Sequence, residues 1–225
     1  MQEKYYLNRL YPLQDKVFAI INKLNTEFYL TGGTALSRIY MDHRYSDDLD
    51  FFVNNSKDYR SQVESIYKAI RKEFKNNVEI GITDSTFNRF FINNKNCNLK
   101  IDFVNDIAFH YGDFTSSVIF SKVDNIENIL SNKLGALSRN EAKDVADILL
   151  ISMNYKFNWK EIVNASKKKD LWVNPLDVAS MLDSFPVQLL NNINWTKPID
   201  LEDFEKILKT IRKDIVLGAN NSIKK

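Results

Sequence analysis

Two aspartates stand two residues apart in the segment Ser46-Asp47-Asp48-Leu49-Asp50-Phe51-Phe52. Side chains two apart on an extended strand share a face, so Asp48 and Asp50 project together while Leu49 and Phe51 turn to the other side. A pair of carboxylates repels itself, and either one keeps a proton or a divalent cation neutralises both. Mg²⁺ suits an exposed pair, because it takes one or two carboxylates and fills its shell with substrate phosphates. A third acid, Asp102, lies in Asn98-Leu99-Lys100-Ile101-Asp102-Phe103-Val104, where Leu99, Ile101 and Phe103 form one face and Lys100, Asp102 and Val104 the other. If that strand lies beside the Asp48 strand, Asp102 completes a two-metal site and can assist deprotonation of an attacking hydroxyl.

These acids need a phosphate opposite them, and a site for one precedes them. Phe28 to Thr31 reads as a short strand that runs into Gly32 and Gly33, with a helix beginning near Thr34. Glycine lets the backbone approach a phosphate, and the unpaired amides of a helix start favour an anion. Thr34, or Thr31, can add a hydroxyl. The combination fits a nucleoside triphosphate lying against Gly33, with its α-phosphate held by metal on Asp48 and Asp50.

The elements that must position these groups follow from periodicity. Leu13, Val17, Ile20, Ile21 and Leu24 mark a helix, and Val63, Ile66, Tyr67, Ile70 and Phe74 another. Strands are predicted from Leu49 to Val53, Val78 to Thr83, Thr86 to Asn93 and Asn98 to Val104, with a hairpin turn at residues 93–96. From Asp124 onward the pattern is helical, over residues 125–138, 141–154, 159–169, 175–185 and 201–216. Asn174 before Pro175 and Asp200 read as N-caps, and Gly218 as a helix stop. The expected architecture is α+β: a mixed sheet with flanking helices over residues 1–115, then a helical bundle over 116–225.

Composition excludes several classes. The 225 residues are 44% hydrophobic and 27% charged, which is globular composition. A net charge of +2 lacks the basic excess of a nucleic-acid coat. The lysine run 167–169 and Lys224-Lys225 are expected as solvated surface. The first residues lack a signal-type apolar core and the longest apolar run, Ile148 to Met153, is too short for a bilayer, so a cytoplasmic chain with no membrane contact is expected. The single cysteine, Cys97, reads as a strand residue, and no zinc spacing occurs. His43 is expected near the site without a chemical role, and His110 is given none. Tyr5, Tyr6 and Tyr11 are expected to pack on the first helix, with base stacking the alternative.

The stretch Phe28 to Phe52, with Gly32-Gly33-Thr34-Ala35-Leu36 and Arg44-Tyr45-Ser46-Asp47-Asp48-Leu49-Asp50-Phe51, resembles the first signature of the AbiEii/AbiGii toxin family of the nucleotidyltransferase superfamily. The resemblance implies that Gly33 and Thr34 form the phosphate loop, that Asp48 and Asp50 bind metal, and that Arg44 and Ser46 flank the approach. Asp47 is an extra acid outside this set. A later family element is matched by Lys133, Ala136, Leu137 and Arg139, then Lys143, Asp144 and Asp147; the arginine stands one place early and lysine replaces arginine before Asp144. Independently, Lys133 falls inside the apolar stripe of Ile126, Ile129, Leu130, Leu134 and Leu137, where an ammonium must snorkel out or meet an anion. That anion is a phosphate or a carboxylate, and a phosphate or base role is favoured for Lys133; the family element adds Asp144, so Lys133 and Asp144 are candidate catalytic residues. Asp144 and Asp147 read equally well as helix-start acids.

What the family implies is transfer of a nucleoside monophosphate from NTP, with Mg²⁺, to a tRNA 3′ end, as the toxin of a type IV pair whose antitoxin is a winged-helix protein. A small-molecule acceptor of aminoglycoside type, a protein side chain, and a non-catalytic nucleotide-binding partner are the other readings.

Overall fold

The computed structural model describes residues 2–94 and 97–224. The chain divides into two compact units, residues 1–108 with 113–124, and residues 109–112 with 125–225. Residues 116–124, grouped with the helices in the sequence reading, are tied to the first unit by backbone bonds. Val123 bridges both Leu30 and Thr115, and the Asp124 N–H donates to the Leu30 carbonyl at 2.9 Å.

The first unit opens with α1 (Gln2–Tyr5), a π-type stretch Tyr6–Leu10 and α2 (Tyr11–Leu24). Leu13, Val17, Phe18 and Ile21 recur at three- and four-residue spacing and are buried, the stripe that a core-facing helix requires. Asn25 ends α2 in the left-handed region at φ 48°. Strand β1 (Tyr29–Thr31) runs into α3 (Gly32–Ala35) and a π-type continuation Leu36–Met41; then come β2 (Leu49–Asn54), α4 (Tyr59–Phe74), β3 (Val78–Thr83), β4 (Phe87–Asn94) and β5 (Cys97–Asp106). Of the hairpin turn expected at 93–96, Lys95 and Asn96 lie outside the described residues.

The five strands form one mixed sheet in the order β1-β2-β5-β4-β3. Only β2 and β5 run parallel; the other neighbours are antiparallel. Along β2, Leu49, Phe51 and Val53 are buried and alternate with half-exposed Asp50, Phe52 and Asn54. On β5, Leu99, Ile101 and Phe103 are buried too, alternating with half-exposed Lys100, buried Asp102 and half-exposed Val104. The apolar face is an aromatic core: Phe51 stacks on Phe103 at 5.4 Å and meets Phe18 of α2 edge-on at 6.2 Å. Burying rings of this size stabilises by about 2 kcal/mol each, and with that face fixed the polar face of β2 and β5 has no freedom to slip.

The second unit consists of α5 (Ile126–Ala136), α6 (Ala142–Asn154), α7 (Trp159–Lys167), α8 (Pro175–Ser184) and α9 (Leu201–Leu217), with short 3₁₀ segments Leu137–Arg139 and Val187–Asn192. Its ends obey the capping chemistry read from the sequence. Asn174 accepts from the N–H groups of Leu176 and Asp177 ahead of Pro175, Asp200 accepts from Glu202 and Asp203, and Gly218 stops α9 at φ 58°. Helix α5 packs on α6 and α7, and α8 on α9. The lysine run is only partly surface: Lys169 Nζ donates to Asn128 Oδ1 and Asn132 Oδ1, both at 2.5 Å. That departs from the expected solvated run, because the turn that follows α7 points this one residue at α5. Among the described residues no helix is long and apolar enough to cross a membrane.

Candidate functional site

The sheet register assembles a polar row across four strands. Thr31 of β1 opposes Asp50 of β2, Asp50 opposes Asp102 of β5, and Asp102 opposes Arg89 of β4. Opposed residues share a face of the pleat, so all four side chains lie on the side away from the aromatic core. Asp48, two residues before Asp50, joins them. The strand adjacency on which the role of Asp102 depended is therefore present.

Two cations lie among the three acids. Arg89 grips Asp102 with both arms, Nε to Oδ1 and Nη2 to Oδ2, each at 2.7 Å. This bidentate bond holds the guanidinium above its usual pKa against the opposing pull of burial. Lys100 Nζ lies 2.7 Å from Asp48 Oδ2 and 3.9 Å from Asp102 Oδ2. Neither cation was singled out from the sequence, although Lys100 was placed on the Asp102 face; alternation alone does not reveal which acid a lysine meets.

The glycine pair meets the acids from the other side. Gly32 adopts φ +69°, and a Cβ there would sit 2.6 Å from Asp50 Oδ2, so only glycine permits this approach. A Cβ on Gly33 would strike the Arg44 guanidinium and come within 3.1 Å of Ser46 Oγ. Arg44 and Ser46, both buried, thus line the glycine turn itself. Buried Thr34 donates its hydroxyl proton to the Asp48 carbonyl and lies 2.9 Å from Ser46 Oγ. The hydroxyl read as a phosphate donor is committed here to the loop that carries Asp48.

That loop is braced from α2. Gln14, fully buried, donates to the carbonyls of Ser46 at 3.1 Å and Asp47 at 3.2 Å and accepts from Arg38 at 3.2 Å. The sequence carried a signal for it, since position 14 falls in helical register with Val17, Phe18 and Ile21. Asp47, set aside as a ligand, accepts from the Tyr6 hydroxyl at 2.9 Å. Tyr6 in turn stacks on Tyr45 at 4.3 Å, and Tyr5 contacts buried Cys97 with its hydroxyl 3.7 Å from the sulfur. The tyrosine cluster therefore packs on the site loop. His43 is buried, and His110 Nδ1 lies 2.9 Å from the Gly112 carbonyl.

Asp48 and Asp50 fit a Mg²⁺ ion by donor chemistry: both offer oxygen and both are half-exposed on one face. Among the described residues no three His, Cys, Asp or Glu side chains converge tightly enough to chelate an ion by themselves. The donor set is that of an ion shared with phosphate, which keeps substrate oxygens and waters in its shell. Both oxygens of Asp102 accept from Arg89, each with a second lone pair still available.

Lys133 and Asp144 belong to the second unit, where the structure pairs them with each other. Lys133 Nζ lies 2.7 Å from Asp144 Oδ1 and 2.7 Å from Asp147 Oδ2, and Arg139 Nη2 lies 2.8 Å from Asp144 Oδ2. Both aspartates are fully buried and the lysine side chain is 9% exposed. Of the anions open to a lysine in that stripe, it meets two carboxylates.

The chain superposes on the crystal structure of JHP933 from Helicobacter pylori with a TM-score of 0.60 at 21% identity, over 92% of this chain and 91% of that one. It superposes on MenT4, a nucleotidyltransferase toxin from Mycobacterium tuberculosis, with a TM-score of 0.63 at 13% identity, over 92% of this chain and 82% of that one. Both share the fold. No curated protein matches. The model of the nucleotidyl transferase AbiEii toxin family of type IV toxin–antitoxin systems matches residues 18–216, a span that takes in the glycine turn, all three strand acids and the Lys133 cluster. A match over so much of the chain makes this protein a nucleotidyltransferase of the AbiEii toxin family.

Proposed function

We propose that the protein transfers a nucleoside monophosphate from a Mg²⁺-bound NTP to the 3′ end of tRNA, with a winged-helix antitoxin as its partner. One observation carries the reading: Asp50 opposite Asp102, with Asp48 beside them, on a sheet face that abuts the helix start at Gly32-Gly33. Mg²⁺ held by Asp48 and Asp50 would neutralise phosphate charge and hold the α-phosphate in line. The helix-start amides beyond Gly32 bind the outer phosphates. Asp102 takes the proton of the acceptor hydroxyl as its oxygen bonds to the α-phosphorus and the bond to pyrophosphate breaks. Arg89 holds Asp102 in one orientation while this occurs. Lys133 is kept as a candidate for steadying the triphosphate, with Asp144 as its carboxylate partner.

The reading is tested by incubating the purified protein with each α-labelled NTP, Mg²⁺ and total tRNA, beside the Asp48→Ala/Asp50→Ala protein. Label on tRNA only with intact aspartates supports both reaction and acceptor. Absence of label on tRNA, with NTP binding that still needs those aspartates, removes tRNA and sends the search to small molecules and proteins. If tRNA is the acceptor, its binding weakens steeply as salt rises, because phosphate contacts release counterions.

A further inference from the structure

The two cations on the acidic face are bound in different ways. Arg89 makes two 2.7 Å bonds to Asp102, whose side chain is 9% exposed. Lys100 makes one short contact, and it and Asp48 are 29% and 31% exposed. A bidentate guanidinium is a fixed fork, whereas an ammonium is a point charge on a flexible stem. The half-exposed lysine pair is therefore the one that exchanges. While Lys100 occupies Asp48, a divalent ion arriving without anions of its own must displace that lysine to reach the carboxylate. The same lysine has a second acceptor within reach, Asp102 Oδ2 at 3.9 Å, so leaving Asp48 does not strand its charge.

We propose that Lys100 is an internal counter-ion of the site. It neutralises Asp48 in the nucleotide-free protein, is displaced when a divalent cation arrives with nucleotide, and then pairs with the phosphates carried to that face. The consequence is coupling: metal binds weakly alone and tightly with NTP, so the acids are not loaded without substrate. This inference rests on the reading of Asp48 as a metal ligand.

The test measures Mn²⁺ binding by titration calorimetry, without and with a non-hydrolysable NTP, for the wild type and for Lys100→Met, Lys100→Arg and Asp48→Ala. Lys100→Met is expected to bind Mn²⁺ alone about fivefold more tightly, the strength of a half-exposed ion pair. It should bind the Mn²⁺–nucleotide complex about tenfold more weakly, through loss of one charge-assisted bond. Lys100→Arg keeps the charge and should stay near the wild type without nucleotide. Unchanged Mn²⁺ affinity in Lys100→Met, while Asp48→Ala abolishes binding, overturns the counter-ion role and leaves the metal site standing. Mn²⁺ affinity indifferent to Asp48→Ala, or absent from every protein, overturns both.

Discussion

Asp50 and Asp102 sit directly opposite one another on β2 and β5, the one parallel pair in the sheet. Neighbouring strands lie about 4.8 Å apart, so the two carboxylates share a patch of surface although 52 positions separate them in the chain. The antiparallel excursion through β3 and β4 makes this contact, because it returns β5 to the free side of β2. A slip of one residue in either strand would send an acid into the aromatic core, so Phe51 and Phe103 fix the site as firmly as the acids define it.

Replacing Asp50 with Asn keeps the side-chain shape and removes its charge. Nucleotidyl transfer is expected to fall on the order of a thousandfold, the scale on which charge-stabilising groups contribute. Stability should stay close to the wild type, because asparagine keeps the shape of this half-exposed side chain. Steady-state transfer rates and urea unfolding on the same protein check this; retained activity would remove Asp50 from the chemistry.

The two glycines should respond differently to alanine. At Gly32 the φ of +69° and the 2.6 Å approach to Asp50 Oδ2 act together, so Gly32→Ala is expected to lose about 1–2 kcal/mol and most of its activity. At Gly33 the obstacle is the far end of the Arg44 side chain, which can move. Gly33→Ala should fold near wild-type stability with weakened NTP binding. Equal losses of stability in the two variants would contradict this account.

What the sequence revealed and concealed follows from the range of the forces involved. The strand alternation about Leu49 and Phe51, and the caps at Asn174 and Asp200, are local and were legible. So was the acidic pair itself. The adjacency of Asp102 could only be conditional, because strand order is a property of the whole sheet. Partners were harder still: Lys133 was read as a residue that must snorkel out or meet an anion, but two aspartates one turn apart on the next helix are not visible as its neighbours in a linear pattern. Gln14 was missed because a single polar residue inside an apolar stripe looks like an interruption until the carbonyls of Ser46 and Asp47 are seen beside it.

Gln14→Leu preserves volume and deletes the brace. It leaves two loop carbonyls and one arm of Arg38 without this partner, a loss of about 1–3 kcal/mol if water does not replace it. The carboxylate of Asp48 rides on that loop, so the Michaelis constant for NTP should rise more than unfolding stability alone explains. Kinetics measured well below the melting temperature separate the two effects. A purely structural Gln14 would change the melting temperature and leave the Michaelis constant as it was.

Lys133 offers the sharpest separation of structure from chemistry. With Asp144 and Asp147 fully buried around it, Lys133→Met removes the ammonium that both carboxylates share inside the helical unit, while Arg139, itself 58% exposed, still touches Asp144. Breaking a buried pair from one side loses about 3–5 kcal/mol, so the urea midpoint should drop sharply. Asp147→Asn, which leaves the lysine with Asp144, should lose less. If Lys133→Met instead unfolds within about 0.5 kcal/mol of the wild type while transfer is abolished, the cluster is not a structural bracket and the ammonium acts on the triphosphate. If stability collapses and residual activity tracks the folded fraction, Lys133 acts by holding α5 to α6, and the family motif in this chain marks a packing element.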